Sequence, residues 1–187
     1  MTPLDYNAVA ASYDQRYQTN RFEGIEAALA EFVGSGCDTL EVGCGTGHWL
    51  RMSEPAARII AGLDVSSAML ATARSQAPGA ILVRGQAEEL PFGDGTFDRV
   101  FCINSMHHFK DRVAFHSEAR RVLRPGGGLF TVGLDPYFGT DKWWIYDYFP
   151  DALTIDRGRY PNTSLLRNEF TRLGLTDVST DVVEDIS

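Results

Sequence analysis

The stretch Leu40-Glu41-Val42-Gly43-Cys44-Gly45-Thr46-Gly47 decides the fold of this chain. The residues over 38–42 predict a buried strand, and the glycines behind it predict a tight turn into a helix that ends near residue 57. Glycine lets the backbone pass close to a ligand, and the first turn of a helix offers free amides to a polar or negative group. Many such loops carry glycines only in order to turn, so other residues must decide whether this one binds a ligand.

Strands and helices alternate on both sides of this loop. Further strands are predicted over 58–64, 80–84, 98–103 and 128–134, and helices over 22–33, 66–76 and from Asp111 to about residue 124. Strands that alternate with helices at this length form right-handed βαβ units and a parallel sheet that is covered on both faces. We therefore predict a Rossmann-like, doubly wound α/β fold with a mainly parallel sheet.

The 187 residues fit a single domain of ordinary size. Along it we predict a helical cap over 1–36, a ligand-binding core over 37–134, an aromatic-rich insert or lid over 135–161, and a C-terminal helix and strand over 162–187. The insert is expected to be irregular, and the last strand is expected over 176–183.

The aromatic residues Trp143, Trp144 and Tyr146 of the insert have two interpretations. They form either a lid or pocket wall for an apolar substrate, or an ordinary small core under a long loop. Loops longer than about 12 residues are often functional in compact domains, which favours substrate binding.

Composition excludes several classes of partner. The formal net charge of −8 would repel a phosphate backbone, which disfavours nucleic acid and favours small molecules. The three cysteines form no CxxC pair, so neither a disulfide framework nor a metal site is expected. No apolar run approaches the ~20 residues needed to span a bilayer, and the N-terminus has no features of a secretion signal. We expect a cytoplasmic protein that has no membrane partner.

A carboxylate strengthens the case for a bound nucleoside. Asp64 ends the second predicted strand, about 20 residues after Gly43. At that spacing a carboxylate can accept hydrogen bonds from both ribose hydroxyls of an adenosine-containing cofactor. The GxGxxG loop of nicotinamide enzymes would require glycine at position 48, which is His48, and a GxxxxGK[ST] loop is absent. A nicotinamide oxidoreductase is therefore disfavoured, and a P-loop hydrolase is excluded.

Five motifs together resemble one family. In order they are EVGCGTG (41–47), GLDVS (62–66), GQAEELPF (85–92), FDRV (97–100) and RVLRPGG (121–127). Their order and spacing resemble the class I S-adenosylmethionine-dependent methyltransferases, in the branch with quinone-biosynthesis C-methyltransferases and many small-molecule enzymes. The likeness covers roughly residues 40–132, and Tyr13-Asp14 is similar to the YD of that family's N-terminal helix.

The resemblance implies S-adenosylmethionine as the cofactor, S-adenosylhomocysteine as the product and a small molecule as the methyl acceptor. It implies that the backbone of the glycine loop approaches the methionine part, that Asp64 holds the ribose, and that residues 65–69 and 86–88 surround the adenine. The residues expected to bind the cofactor are Tyr13, Glu41, Gly43, Cys44, Gly45, Asp64, Val65, Met69, Gln86, Ala87, Glu88 and Asn104.

One position departs from the family, which often has aspartate where this chain has Gln86. A neutral amide can still offer an oxygen to the adenine amino group, but it is a weaker acceptor than a carboxylate. The contact of Gln86 with the adenine is therefore less secure than the ribose contact of Asp64.

The family's chemistry mainly requires the acceptor to be placed in line with an activated methyl group, away from water. His107 follows the fourth predicted strand and is a candidate catalytic residue; the alternative is that it only packs or caps the next helix. Cys44 could act as a nucleophile, but its position in the loop favours a backbone role.

Two questions stay open at the level of sequence. A protein that binds S-adenosylmethionine or its product without transferring methyl would carry the same residues. The family's sheet usually ends with a seventh, antiparallel strand, whereas this chain stops at Ser187 soon after the sixth predicted strand. We expect either a truncated chain or a homodimer whose partner subunit supplies the missing edge.

Overall fold

The computed structural model describes residues 13–19, 22–137 and 145–183. Its sheet has five strands in the order β3-β2-β1-β4-β5, and every neighbouring pair is parallel. The strands are β1 Asp38–Val42, β2 Ile59–Asp64, β3 Ile81–Arg84, β4 Phe97–Ile103 and β5 Leu123–Val132. The predicted Rossmann-like α/β fold is confirmed.

Helices connect and cover these strands. They are α1 Gln15–Thr19, α2 Glu23–Val33, α3 His48–Ser53, α4 Ser67–Gln76, a 3-10 turn Met106–His108, α5 Arg112–Val122, α6 Ile145–Tyr148, α7 Pro150–Arg159 and α8 Thr163–Arg172. Side-chain oxygens of Ser66, Asp111 and Asn162 accept hydrogen bonds from first-turn amides of α4, α5 and α8. In the described part of the chain, none of the helices has the length and apolar character needed to cross a membrane.

Strands β2 and β4 bury both of their faces, which is why their sequences do not alternate between apolar and polar residues. On one face, Val100 and Cys102 of β4 join a cluster that includes Phe115 of α5. On the other face, Phe101 and Ile103 pack in a cluster with α2. This double cover holds the carboxyl ends of β1, β2 and β4 side by side, where open α/β folds bind ligands.

Four predictions of secondary structure are wrong. Strand β5 spans Leu123–Val132 instead of 128–134, because the preceding helix already ends at Val122, and α3 ends at Ser53 instead of near residue 57. No strand forms over 176–183, and Asp177 within it has a φ of 55°, a left-handed conformation that interrupts an extended chain. The insert is not irregular throughout, because α6 and α7 lie within it. The periodicity of α7 is weak because this helix buries none of its described residues, so its sequence carries little pattern.

A buried histidine joins α5 to α8. His116 is 0% exposed, and its Nδ1 lies 3.1 Å from Oε2 of Glu169. Arg112 donates two hydrogen bonds to the same carboxylate, at 3.1 and 2.7 Å. Burial, the largest cause, lowers the pKa of His116 to about 4. The imidazole is therefore neutral at pH 7.

This histidine makes stability depend on pH. Its pKa is lower in the folded protein than its ordinary value of 6.5, so the unfolded chain binds more protons as the pH falls below 6.5. The free energy of unfolding should therefore decrease between pH 6.5 and about 4, and His116 should account for about 2 kcal/mol between pH 7.5 and pH 5. Guanidinium unfolding at both pH values should show a smaller loss for His116→Gln. An equal loss in the two proteins would contradict this.

Candidate active site

A cavity of about 720 Å³ opens at the carboxyl ends of β1, β2 and β4. Its volume lies in the range of small-molecule sites. Of the residues expected to bind the cofactor, those that line it are Tyr13, Gly43, Gly45, Asp64, Val65, Met69, Gln86, Ala87 and Glu88. Segments that are distant in the chain therefore meet around one space.

The glycine loop forms the floor of this cavity. The amides of Gly43 and Cys44 both donate to the carbonyl of Leu63, at 2.8 and 3.0 Å, which ties the loop to the end of β2. Gly43 has a φ of +76°, and a Cβ added there would lie 2.5 Å from Cβ of Ser105. Ser105 Oγ donates to the carbonyl of Gly43 at 2.9 Å. No side chain fits at Gly43, so the loop keeps bare backbone at the floor.

Asp64 connects β2 to the glycine loop. Its Oδ2 accepts from the amide of Gly45 at 2.9 Å, and its Oδ1 accepts from the amide of Ser66 at 2.8 Å. Burial raises the pKa of this carboxyl, while the backbone amides act in the opposite direction. Each carboxylate oxygen has a further lone pair, so both can also accept from a ligand hydroxyl.

Two predicted residues lie beneath the loop instead of lining the cavity. Glu41 is 1% exposed, and its Oε2 has no hydrogen-bond partner among the described residues. Burial, followed by the charge of Asp64, raises the pKa of Glu41 well above its usual range. Burial also raises the pKa of the Cys44 thiol, which disfavours the thiolate that a nucleophile would need.

Two loops form the opposite end of the cavity. Val65 is 55% exposed and Met69 is buried, so an apolar surface is available there. Glu88 Oε1 accepts from the amides of Lys110 and Asp111, at 2.6 and 3.2 Å. These hydrogen bonds join the loop after β3 to the loop after β4.

Sequence reasoning missed several lining residues of the loop after β4, namely Ser105, Phe109 and Lys110. Their position directly after a central strand was the available indication, because the carboxyl ends of parallel strands share one edge of the sheet. A motif comparison does not reveal them.

The N-terminal helix is held over the glycine loop. The carboxylate of Asp14 accepts hydrogen bonds from Thr46 Oγ1 and Gln76 Nε2. Tyr17 stacks on His48 in parallel, with ring centroids 3.7 Å apart. These contacts bring Tyr13, which directly precedes Asp14, to the cavity wall.

The remaining predicted residues lie toward a second, larger cavity of about 1510 Å³ beside β5, which Asn104 and His107 both line. Asn104 has a φ of 50°, a strained conformation for a residue with a side chain. The His107 ring lies 4.4 Å from Tyr160 and 3.8 Å from His108. Burial, the largest cause, lowers the pKa of His107 to about 3.

Of the three aromatic residues predicted to form a lid or pocket wall, the structure describes only Tyr146. Tyr146 is buried, and its hydroxyl donates to Oδ2 of Asp156 at 2.9 Å. It is not among the residues that line the two cavities. Trp143 and Trp144 lie outside the described residues.

Comparison with known proteins adds independent information. A family model described as a methyltransferase domain matches residues 40–131. A probable S-adenosylmethionine-dependent methyltransferase of Mycolicibacterium smegmatis is 36% identical over 114 residues, which cover 61% of this chain and 44% of the relative. The malonyl-[acyl-carrier protein] O-methyltransferase of Hahella chejuensis is 33% identical over 169 residues, which cover 86% of this chain and 57% of the relative.

A solved structure shares the fold. It is a chain of the complex between a methyltransferase and the Haloferax volcanii Trm112 methyltransferase activator. The two superpose with a TM-score of 0.79 at 24% identity, covering 100% of this chain and 83% of the other. The likeness shows the fold.

The matched segment contains the elements that build the first cavity. Residues 40–131 include the glycine loop, Asp64 and the loops after β3 and β4. The chain spans about half the length of the curated relatives that it matches. Residues 40–131 therefore match the methyltransferase domain model, and this segment is similar to S-adenosylmethionine-dependent methyltransferases.

Proposed function

We propose that this chain binds S-adenosylmethionine in the 720 Å³ cavity and transfers its methyl group to a small molecule. One observation carries the proposal: the carboxylate of Asp64 lies 2.9 Å from the amide of Gly45, at the edge of a parallel sheet where ligands bind. A carboxylate and a bare backbone turn are thereby placed together for a ribose and an amino-acid tail.

The residues present fit this cofactor. Only glycine fits at Gly43, which leaves room for the methionine part beside the backbone. Asp64 would hold the ribose hydroxyls, and Gln86 with Ala87 would meet the adenine edge. Directly below the loop, Glu41 has a buried oxygen without a hydrogen-bond partner in the described part of the chain, and this oxygen would accept a hydrogen bond from the ammonium group.

Catalysis by this chain would consist mainly of positioning. The cofactor supplies a methyl group that its sulfonium has already activated for in-line transfer. The protein residues then have to orient the acceptor and exclude water. Tyr13 and α1 cover the glycine loop, and Asn104, which directly follows β4, lines the larger cavity, from which we propose that the acceptor enters.

We further propose that His107 orients the acceptor. Its low pKa keeps the imidazole neutral at pH 7, so a ring nitrogen can accept a hydrogen bond from a hydroxyl or amine. Replacing His107 with asparagine should lower kcat for methyl transfer about 100-fold. The affinity for S-adenosylhomocysteine should change less than twofold, as calorimetry would show. A variant that retains full kcat would contradict this role.

The hydrogen bonds that Asp14 accepts from Thr46 and Gln76 should contribute to cofactor affinity. Asp14→Ala removes the acceptor for Thr46 Oγ1, a hydroxyl on a buried residue, and for Gln76 Nε2. We expect the affinity for S-adenosylhomocysteine to fall about tenfold, because α1 would separate from the glycine loop. Asp151→Ala, at an exposed position on α7, is the matched control and should leave the affinity unchanged. Equal affinities in both variants would show that these hydrogen bonds of Asp14 do not contribute to cofactor binding.

The acceptor is proposed to be a small molecule. The net charge of −8 disfavours a nucleic-acid acceptor. The free cysteines Cys37, Cys44 and Cys102 support action in a reducing cytoplasm.

Two measurements on the full chain test the proposal. Calorimetry should show saturable binding of S-adenosylhomocysteine. Incubation of a cell extract with methyl-labelled S-adenosylmethionine and this protein should place label in the small-molecule fraction, and Asp64→Ala should abolish the labelling. Tight binding without transfer to any fraction would instead support a protein that only binds the cofactor.

A further inference from the structure

A buried histidine lies between two walls of the larger cavity. One wall is the 3-10 turn after β4, where Met106 and His107 line the cavity, and the other is α8, which contributes Phe170. His116 of α5 is 0% exposed and is not among the lining residues. It would therefore affect a bound acceptor through the residues that it contacts.

His116 contacts both walls at once. Its Nε2 lies 3.2 Å from Sδ of Met106, and its ring meets that of Phe170 edge to face, with centroids 4.8 Å apart. On the side of α8, Nδ1 lies 3.1 Å from Oε2 of Glu169. Arg112 donates two hydrogen bonds to that carboxylate, which fixes the group beside the imidazole. The imidazole therefore fills the space between the turn and α8, with a polar contact on each side.

Met106 anchors the turn in the core. It is 7% exposed, whereas His107 is half-buried and His108 is exposed, so Met106 is the buried residue of the three. The hydrogen bonds of Ser105 and Lys110 hold the loop on either side of the turn. Because a protein interior is close-packed, a change in the contacts of the Met106 side chain shifts the backbone of the turn. His107 directly follows Met106, so its ring would move with the turn.

We propose that His116 and Met106 are positioning residues of the acceptor site. The contact between the imidazole and the thioether sets the distance between the turn and α8, and with it the place of the His107 ring in the larger cavity. The inference rests on the proposed entry of the acceptor from that cavity and on the proposed role of His107. It gives His116 a role in activity besides its effect on stability.

Two replacements by residues of similar size remove the contact. His116→Leu leaves Glu169 with its two hydrogen bonds from Arg112, so the buried carboxylate keeps a charged partner. Met106→Leu removes the sulfur and keeps an apolar side chain of similar volume at the wall. Val122→Ala is the matched control, because Val122 is 0% exposed, belongs to α5 like His116 and lines neither cavity.

Three measurements on the full chain test the proposal. In NMR spectra, the ring C–H signals of His107 and His108 should shift in His116→Leu and in Met106→Leu, and should stay in place in Val122→Ala. With saturating methyl-labelled S-adenosylmethionine, transfer to the small-molecule fraction of a cell extract should fall about tenfold in the first two variants and stay unchanged in the control. In calorimetry, the affinity of all three variants for S-adenosylhomocysteine should stay within about twofold of the wild type.

The outcomes separate this proposal from the proposed function. Undiminished transfer in His116→Leu and Met106→Leu would overturn the proposal, whatever the ring signals do. An equal loss of transfer in Val122→Ala would overturn it as well, because the effect would then follow from reduced stability alone. Unshifted ring signals in an active protein contradict this inference and leave the methyl transfer standing. If the wild type binds S-adenosylhomocysteine and transfers label to no fraction, the proposed methyl transfer fails, and this inference fails with it.

Discussion

Replacing Gly43 with alanine is expected to abolish measurable binding of S-adenosylhomocysteine and to lower the free energy of unfolding by about 3 kcal/mol. The added Cβ would lie 2.5 Å from Cβ of Ser105 and 2.8 Å from its Oγ, a distance that real atoms do not tolerate. Relief requires either the glycine loop or the start of the loop after β4 to move. Each of them lines the cofactor cavity, so affinity and stability should fall together.

The matched control is Gly36→Ala. Gly36 has nearly the same backbone conformation, with a φ of +75° against +76° for Gly43, but a Cβ there meets no atom within 4 Å. This variant should cost only the strain of a left-handed residue, about 1 kcal/mol, and should keep full affinity. If Gly43→Ala behaves like Gly36→Ala in calorimetry and in guanidinium unfolding, the close approach at the floor of the cavity is not important for binding.

Replacing Asp64 with asparagine is expected to weaken S-adenosylhomocysteine binding by about 100-fold. The two carboxylate oxygens already accept from the amides of Gly45 and Ser66. An amide side chain has only one oxygen, so its NH2 group would face one of these backbone donors. The loop would lose a contact, and the ribose would lose a charged acceptor. Both effects act on the same ligand.

The control for this variant is Asp94→Asn, which removes a carboxylate from a side chain that is 82% exposed and paired with Arg121. Its affinity for S-adenosylhomocysteine should equal that of the wild type, as measured by calorimetry. Retention of wild-type affinity by Asp64→Asn would remove the observation on which the proposed function depends.

Much of the core was predictable because its determinants are local. The strand β1 with its glycine loop, the strand that ends in Asp64, and the caps Ser66 and Asp111 each depend on a few consecutive residues. Apolar runs of four to seven residues, bounded by glycine or by a capping side chain, leave little freedom of interpretation. The predicted bounds of β1 and β2 agree with the structure to within one residue.

The insert and the C-terminal stretch were less predictable, because their structure does not depend on a buried face. Helix α7 buries none of its described residues, so it lacks the periodicity by which helices are recognised. The residues over 176–183 have an apolar pattern that suits a strand, but no strand of the sheet pairs with them. Pairing depends on a distant partner, which a local pattern cannot report.

By itself, the sequence determined the α/β fold, the likeness to the methyltransferases, and the residues of the glycine loop and of β2 that stand at the cofactor cavity. Only the tertiary structure decided that Asp14 reaches Thr46 and Gln76, that Ser105 excludes a side chain at Gly43, and that Lys110 donates a hydrogen bond to Gln86. The physical reason is the separation of the contacting residues along the sequence. Turns, caps and buried strands are set by neighbours in the chain, whereas these contacts join residues 24 to 62 positions apart, which only the packing of the sheet and its helices brings together.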